Sequence, residues 1–207
     1  MSFTGFHKKD FDVFKVDGLD ERMEAIKSNV RPKLEQLGEI MAPTLSALTG
    51  DEISPHVAQH ARRTVNPPND TWVAFADNKR GYKKHPHFQI GLWQTHLFIW
   101  FAVINEADNK AKIARNFKKH LGQIKKEIPE FYVWSKDHTE PDAVPQTKAD
   151  LKAMIERLKD VKKAEILCGR NLERGKAVVE NGDKLIHEIE NTFKTVLPLY
   201  QWAKQAK

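Results

Sequence analysis

The chain has 207 residues, 40% of them hydrophobic and 30% charged, which is near the globular average and too rich in aliphatic and aromatic residues for a disordered chain. Its one cysteine, Cys168, excludes an internal disulfide and a cysteine-built zinc site, and fits a reducing compartment. The net charge of +6 raises the expectation of an acidic partner without specifying one.

That charge is uneven. Residues 1–106 hold 13 Lys/Arg against 13 Asp/Glu, and residues 107–207 hold 21 against 15. Lysine- and glutamate-patterned helix faces explain such an excess as readily as a partner does. The start, Met1 to Asp10, is polar and reads as no secretory leader. The most apolar stretch, Leu97 to Ile104, is far shorter than the ~20 residues of a membrane-spanning helix. A cytoplasmic protein, not inserted in a membrane, is expected. A chain this long buries roughly 70% of its unfolded surface and needs no metal or disulfide to fold.

In chain order, a helical region is predicted from Leu19 to Leu48. Met23, Ile26, Val30, Leu34, Leu37 and Met41 recur on one face. Asp17-Gly18 precedes it as a turn. Pro32 should kink or restart the helix near Arg31, Pro43 should interrupt it again, and Thr49-Gly50-Asp51 should end it. Pro67-Pro68 bars regular structure. Thr71 to Ala76 reads as a strand, and Asp77 to Pro86 as a polar, basic connection. His87 to Trp93 and Leu97 to Ile104 read as an antiparallel hairpin, the second strand central because both its faces are apolar.

Ile113, Phe117, Leu121 and Ile124 mark a helix stopped by Pro129, and Phe131 to Ser135 a short strand. Pro141 and Pro145 punctuate a loop. Thr147, with Asp150 three positions on, is the expected N-cap of a helix whose core face is Leu151, Met154, Ile155 and Leu158. Ala164 to Cys168 is a further strand. A long last helix buries Leu185, Ile189, Phe193 and Val196, with Asn181-Gly182 at its start and Pro198 near its end. No segment repeats and none is linker-like. Together these elements predict one α+β domain over residues 1–207, a mainly antiparallel sheet with a central hairpin covered by N-terminal and C-terminal helices.

The segment from His56 to His87 carries six Lys/Arg against two acids. Arg62, Arg63, Lys79 and Arg80 suit a phosphate or carboxylate, because guanidinium groups bind such anions through planar, bidentate donors. Gly81 would let backbone N–H groups approach an anion. A solvated loop explains the lysines equally well. In the strand His87–Trp93, Phe88, Ile90 and Leu92 point one way, and His87, Gln89, Gly91 and Trp93 the other. That second set is either a ligand platform, with Trp93 stacking and Gln89 reading an edge, or a face packed under a helix. Asn66 and Tyr82 complete the candidate ligand-binding set of Arg62, Arg63, Asn66, Lys79, Arg80, Tyr82, His87, Gln89 and Trp93.

Nine histidines raise the question of a metal. His56 and His60 would share a helical face and His85 and His87 a strand face, but no HExxH motif or acid ligand set accompanies them, so no metal site is assigned. Asp137, His138 and Asp142 form a possible acid–base cluster in a loop. Gly169 to Gly175 leaves a strand and would meet an anion at its end. GxxxxGK[ST], GxGxxG and GxSxG are all absent, so no cofactor is expected. Cys168 in its apolar strand reads as inert.

Several runs resemble, nearly end to end, the uncharacterised bacterial YktB-like family: Phe11-Asp-Val-Phe14, Arg31-Pro-Lys-Leu34, Ala42 to Asp51, His60-Ala-Arg-Arg63 and Val65-Asn-Pro-Pro68, then Asp70 to Ala76, Asn78 to Tyr82, Pro86 to Trp93, Trp134-Ser and Asp137-His-Thr139. The resemblance implies a compact α+β fold with an antiparallel sheet covered by helices, and brings no activity with it. Three functional readings follow from the residues. The leading one is a binding protein for an anionic ligand: nucleic acid, a nucleotide or another phosphorylated metabolite. The second is an enzyme on a small metabolite, with His87 or His138 as acid–base and arginines as anion clamps. The third is a protein-interaction module, which requires exposed aromatics in a flat patch.

Overall fold

The computed structural model describes residues 2–206; Met1, where the polar opening stretch begins, lies outside the described residues, as does Lys207. The chain opens with a short helix, α1 (Lys8–Asp12), followed by α2 (Leu19–Asn29) and α3 (Arg31–Thr49). The restart expected at Arg31 is present, because Pro32 sits in the first turn of α3 where its missing N–H costs nothing. Pro43 does not interrupt. Its side chain is exposed, so the carbonyl it frees faces solvent, while Met41 and Leu45 on either side are fully buried and hold the helix to the core. Gly50, at φ 76°, adopts the left-handed cap that ends α3.

Seven antiparallel strands follow: β1 (Ser54–Val57), β2 (Asp70–Ala76), β3 (His87–Trp93), β4 (His96–Val103), β5 (Val133–Ser135), β6 (Val144–Pro145) and β7 (Ile166–Glu173), in the spatial order β1-β2-β3-β4-β7-β5-β6. The β3–β4 hairpin and the central place of β4 are as expected. β1 and β6 were not visible in the sequence. Both contain proline, Pro55 and Pro145, which reads against a strand, yet an edge strand can turn the missing donor away from its neighbour. β7 runs to Glu173, so Gly169 to Glu173 is mid-sheet strand and not a strand-end loop. His56 lies on β1 and His60 in a turn with φ 52°, so the shared helical face expected for them does not form.

Between the strands lie α4 (Lys110–Lys119), α5 (Leu121–Glu127) and α6 (Leu151–Asp160), and after β7 come α7 (Ala177–Glu180) and α8 (Gly182–Lys204). The single helix expected before Pro129 breaks in two at His120. Asp150, not Thr147, caps α6, its carboxylate accepting the Ala153 N–H at 3.0 Å. Asn181 caps α8 through the Lys184 N–H, and α8 continues through Pro198 to Lys204. None of these helices is long and apolar enough to cross a membrane.

The helices gather on one face of the sheet. Phe88, Ile90 and Leu92 of β3 and Leu97, Ile99, Phe101 and Val103 of β4 form that face, all at most 1% exposed, and join α3, α4, α6 and α8 in the main core. Phe88 meets Phe193 and Tyr200 of α8, each with ring centroids 5.0 Å away. Burial of this many large apolar side chains, each contributing about 1.5–3 kcal/mol, is the principal stabilisation of the fold. The opposite face holds a second, smaller cluster: Trp93, Phe98, Trp100, Ala102, Ile104 and Leu167, with Trp72 and Tyr82 packed against it.

Candidate functional site

The second face is built from the alternate residues of the same strands, and it is not free. His87, Gln89 and Trp93 are 0%, 2% and 6% exposed. No helix covers them. They are closed in by aromatic neighbours and by the connections that rise from the strand ends. The space expected above Gly91 is filled, since a Cβ there would stand 2.3 Å from Phe98 Cζ and 2.6 Å from Trp72 Cβ. Gly169, equally, lets Trp100 lie against the strand. Two glycines thus make room for a flat aromatic floor.

Hydrogen bonds lock this floor. His87 donates from Nδ1 to the His85 carbonyl at 2.8 Å and accepts the Gln89 Nε2–H on its Nε2 at 2.8 Å. Both ring nitrogens are used, and burial depresses its pKa to about 3. His87 is therefore a neutral structural residue, unavailable as an acid–base, and Gln89 is its partner and not an edge reader. Trp72 Nε1 donates to Tyr82 Oη at 3.0 Å, and the Tyr82 ring meets His87 edge to face at 4.9 Å.

Above the Trp72–Trp93 end of the floor lies a cavity of about 470 Å³, walled by residues 57–63, Asn69, Asp70, Trp72, Tyr82, Lys83, Trp93, His138 and Thr139. Its size and mixed aromatic and polar lining are those of a small-molecule site. Of the residues expected from sequence, Arg62, Arg63, Tyr82 and Trp93 line it. Arg80 and Tyr82 line a second hollow of about 410 Å³ beside His56, Asn78 and His85. Lys79 is drawn away into an exposed pair with Glu52, 2.7 Å long. Asn66 is exposed, and its carbonyl accepts a 3.3 Å bond from Arg63.

The cavity brings together titratable groups that the sequence left scattered. His138 belongs to the acid–base cluster expected in its loop, but its partner is neither Asp137 nor Asp142. It is Glu165, 4% exposed, which accepts His138 Nδ1–H at 2.8 Å and the backbone N–H groups of His138 and Asn105 at 2.8 and 3.0 Å. Burial works against the charged ring, but the hydrogen bond and charge of Glu165, with Asp70 and Glu106 behind it, outweigh this and raise the His138 pKa. Asp70, at the first position of β2, is 6% exposed. Burial pushes its carboxyl up to about 7, with His138 and Arg63 only partly opposing. His60 donates or accepts at Thr71 Oγ1, 3.2 Å away, and is pushed down to about 4 by burial and by the charges of Arg63 and Arg31.

Asp137, His138 and Glu165 each offer one ligand atom within 4.8 Å of the others. The oxygens of Glu165 already accept three N–H donors, and Asp137 accepts the N–H and hydroxyl of Thr139 at 2.8 and 2.6 Å. This is an imidazole anchored by a carboxylate, with its second nitrogen left for the cavity. Asp70 and Glu165 escaped the sequence reading. Glu165 had a signal: it is the lone charge in the apolar run Ala164 to Cys168, and a charge in a buried strand is rare unless paired.

Elsewhere, no tryptophan is exposed. Phe131, 63% exposed, lies under the Arg170 guanidinium at 4.5 Å, and Val65, 76% exposed, is remote from it in sequence. The flat aromatic patch that an interaction module requires is not present among the described residues.

Residues 6–200 match the family described as "Domain of unknown function (DUF1054)". A UPF0637 protein of Bacillus velezensis is 54% identical over 203 residues, covering 97% of each chain. Another, from Oceanobacillus iheyensis, is 53% identical over 200 residues, again 97% of each. A third, from Shouchella clausii, is 53% identical over 201 residues, covering 97% of this chain and 95% of the relative. Matched along nearly its whole length, with the sheet and helices that its own pattern encodes, the chain belongs to the bacterial DUF1054 family.

Proposed function

We propose that the cavity over Trp72 and Trp93 binds a small organic anion, a carboxylate or phosphate carried on a flat, largely apolar body. The observation that carries this reading is the state of the guanidinium groups around it. Among the described residues no carboxylate pairs with Arg31, Arg62 or Arg63, and Arg63 has only the Asn66 carbonyl. Arg31 leaves Nε and Nη2 buried without a partner, and its charge reaches His60 on the cavity wall. Arg31 itself stands behind the cavity wall; an unpartnered buried donor costs about 1–3 kcal/mol, which an anion in contact with it would offset. The indole N–H of Trp93, buried and unpartnered, belongs to a residue of the wall itself. The aromatic floor suits a flat body, and the concave shape favours a small molecule over a nucleic-acid strand, which needs exposed bases to stack on exposed rings.

The test is thermal shift and titration calorimetry with phenyl phosphate, phenylpyruvate and AMP, with a single-stranded oligonucleotide for comparison, all at low salt. A ligand that binds only the folded state raises apparent stability; about 2.7 kcal/mol is expected at 100 times its dissociation constant. Stabilisation by at least one of the three anions, lost in the Arg62→Ala/Arg63→Ala double variant, is the expected result. No stabilisation by any of them ends the reading, and stabilisation by the oligonucleotide alone redirects it to nucleic acid.

A further inference from the structure

We infer that this cavity is a proton-transfer active site, in which His138, anchored by Glu165, and Asp70 act as a base and acid pair on an enolisable organic anion. The inference rests on the binding reading above and adds the chemistry to it.

The geometry supports it from three sides. First, His138 commits Nδ1 to Glu165, so Nε2 is the only nitrogen left to receive or give a proton, and His138 lines the cavity. A carboxylate behind an imidazole fixes the tautomer and steadies the cation that forms on proton uptake. Second, Asp70 lines the same cavity and takes no hydrogen bond from another side chain among the described residues. Each of the two feels the other's charge, so a proton on His138 favours the ionised form of Asp70 and the reverse. One member is then an acid while the other is a base. Third, the site has no primed nucleophile. The hydroxyl-bearing residues on the wall are Thr139, which donates to Asp137, and Tyr82, whose oxygen accepts the Trp72 indole N–H and whose ionisation burial disfavours; Thr71, behind the wall, is bonded to His60. No serine or cysteine lines the wall. No hydroxyl or thiol is therefore set up for acyl or phosphoryl transfer, whereas proton transfer uses the imidazole and carboxylate already facing the cavity.

The substrate class follows from the arrangement. It carries an anionic group for Arg62 and Arg63, a flat body for the floor, and a carbon acid between them. The base takes a proton from the carbon next to a carbonyl. The electron pair of that C–H bond becomes the C=C bond, the carbonyl π pair moves to oxygen, and the acid protonates that oxygen to give the enol. No electrons leave the substrate, so no oxidant or co-reactant is needed. The reverse step, or exchange with water at the open mouth, restores the pair.

Phenylpyruvate in deuterium oxide is the probe, since it has a ring, a carboxylate and an acidic methylene. Deuterium entry at that methylene, followed by proton NMR above the buffer rate, is the readout, with calorimetric binding measured on the same samples. Wild-type protein is expected to accelerate exchange, and His138→Gln and Asp70→Asn each to lower it by about 10²–10⁴-fold. Near-isosteric replacements are chosen to preserve the fold, and each is checked by its unfolding midpoint. Glu165→Gln tests positioning: binding persists, while the limb of the pH profile that reports His138 moves to lower pH. The charged groups around that ring are Glu165, Asp70, Glu106 and Asp137, with His87 beneath. Binding without exchange overturns the inference and leaves the anion site standing. Failure of phenylpyruvate, phenyl phosphate and AMP all to bind removes both. Exchange that survives in folded His138→Gln or Asp70→Asn protein overturns the assignment of the pair.

Discussion

The two faces of the sheet are made from the same strands and differ in almost every other respect. The helix-covered face is aliphatic and phenylalanine-rich. The opposite face carries His87, His96, Asp70, Trp72, Trp93 and Trp100, lies under connections, and borders the cavity. Helices can close a face completely, because their apolar stripes interdigitate with it. Loops close it only in part and bring polar side chains with them. Most of the apolar burial lies on one side, and the polar cavity lies on the other.

The sharpest way to break that comparison is acid. His60, His87 and His96 are pushed down to about 4, 3 and 4, while in the unfolded chain they titrate near 6.5. Between those values the unfolded state binds the extra protons, so stability is present above pH 6.5 and is lost as pH falls. From pH 6.5 to 5 each histidine costs about 1.5 kcal/mol. Asp70, raised to about 7, works in the opposite sense: its folded form is the one that binds the proton, and it returns about 2 kcal/mol over the same interval. His138, also raised, only trims the loss. The net expectation is a fall of about 3 kcal/mol, read from urea midpoints at the two pH values. His96→Gln, whose ring Nε2 has no partner, should remove about a third to a half of that fall. A flat profile would show that the second face is not buried as described.

Gly91→Ala is the next largest. Its methyl would meet Phe98, Trp72 and the Thr71 carbonyl within 2.6 Å, and one of these is backbone. Overpacking of this kind costs about 1–3 kcal/mol. The variant should also weaken anion binding, because the floor under the cavity must shift. Unchanged affinity for phenyl phosphate would separate the floor from the site. The smallest effect is Lys79→Ala. Its pair with Glu52 is formed by side chains 73% and 76% exposed, so denaturation should move by less than about 1 kcal/mol. Anion affinity should hold, since Lys79 lines neither cavity.

The sequence revealed the first face far better than the second, for a physical reason. Phe88, Ile90 and Leu92 alternate cleanly, and period-two alternation reports directly on which side is dry. The same alternation placed His87, Gln89, Gly91 and Trp93 together, but whether loops or solvent lie above them depends on contacts with residues far away in the chain. His138 was visible as a candidate, while Glu165, 27 positions downstream, meets it only through the return of β7 to the sheet. Asp70 read as the edge of a loop because its burial comes from the connections around it. Pro55 and Pro145 hid two strands because a local rule against proline holds for central strands and relaxes at edges.

Cys168 lies in β7 between β4 and β5, with no exposed surface, and burial pushes its thiol well above the ordinary range. A maleimide or disulfide reagent can reach that sulfur only after the strands around it separate. The rate at which native protein is alkylated is thus a label-free-of-mutation stopwatch for global opening. Air-exposed stocks should likewise stay free of covalent dimers for as long as the chain remains folded.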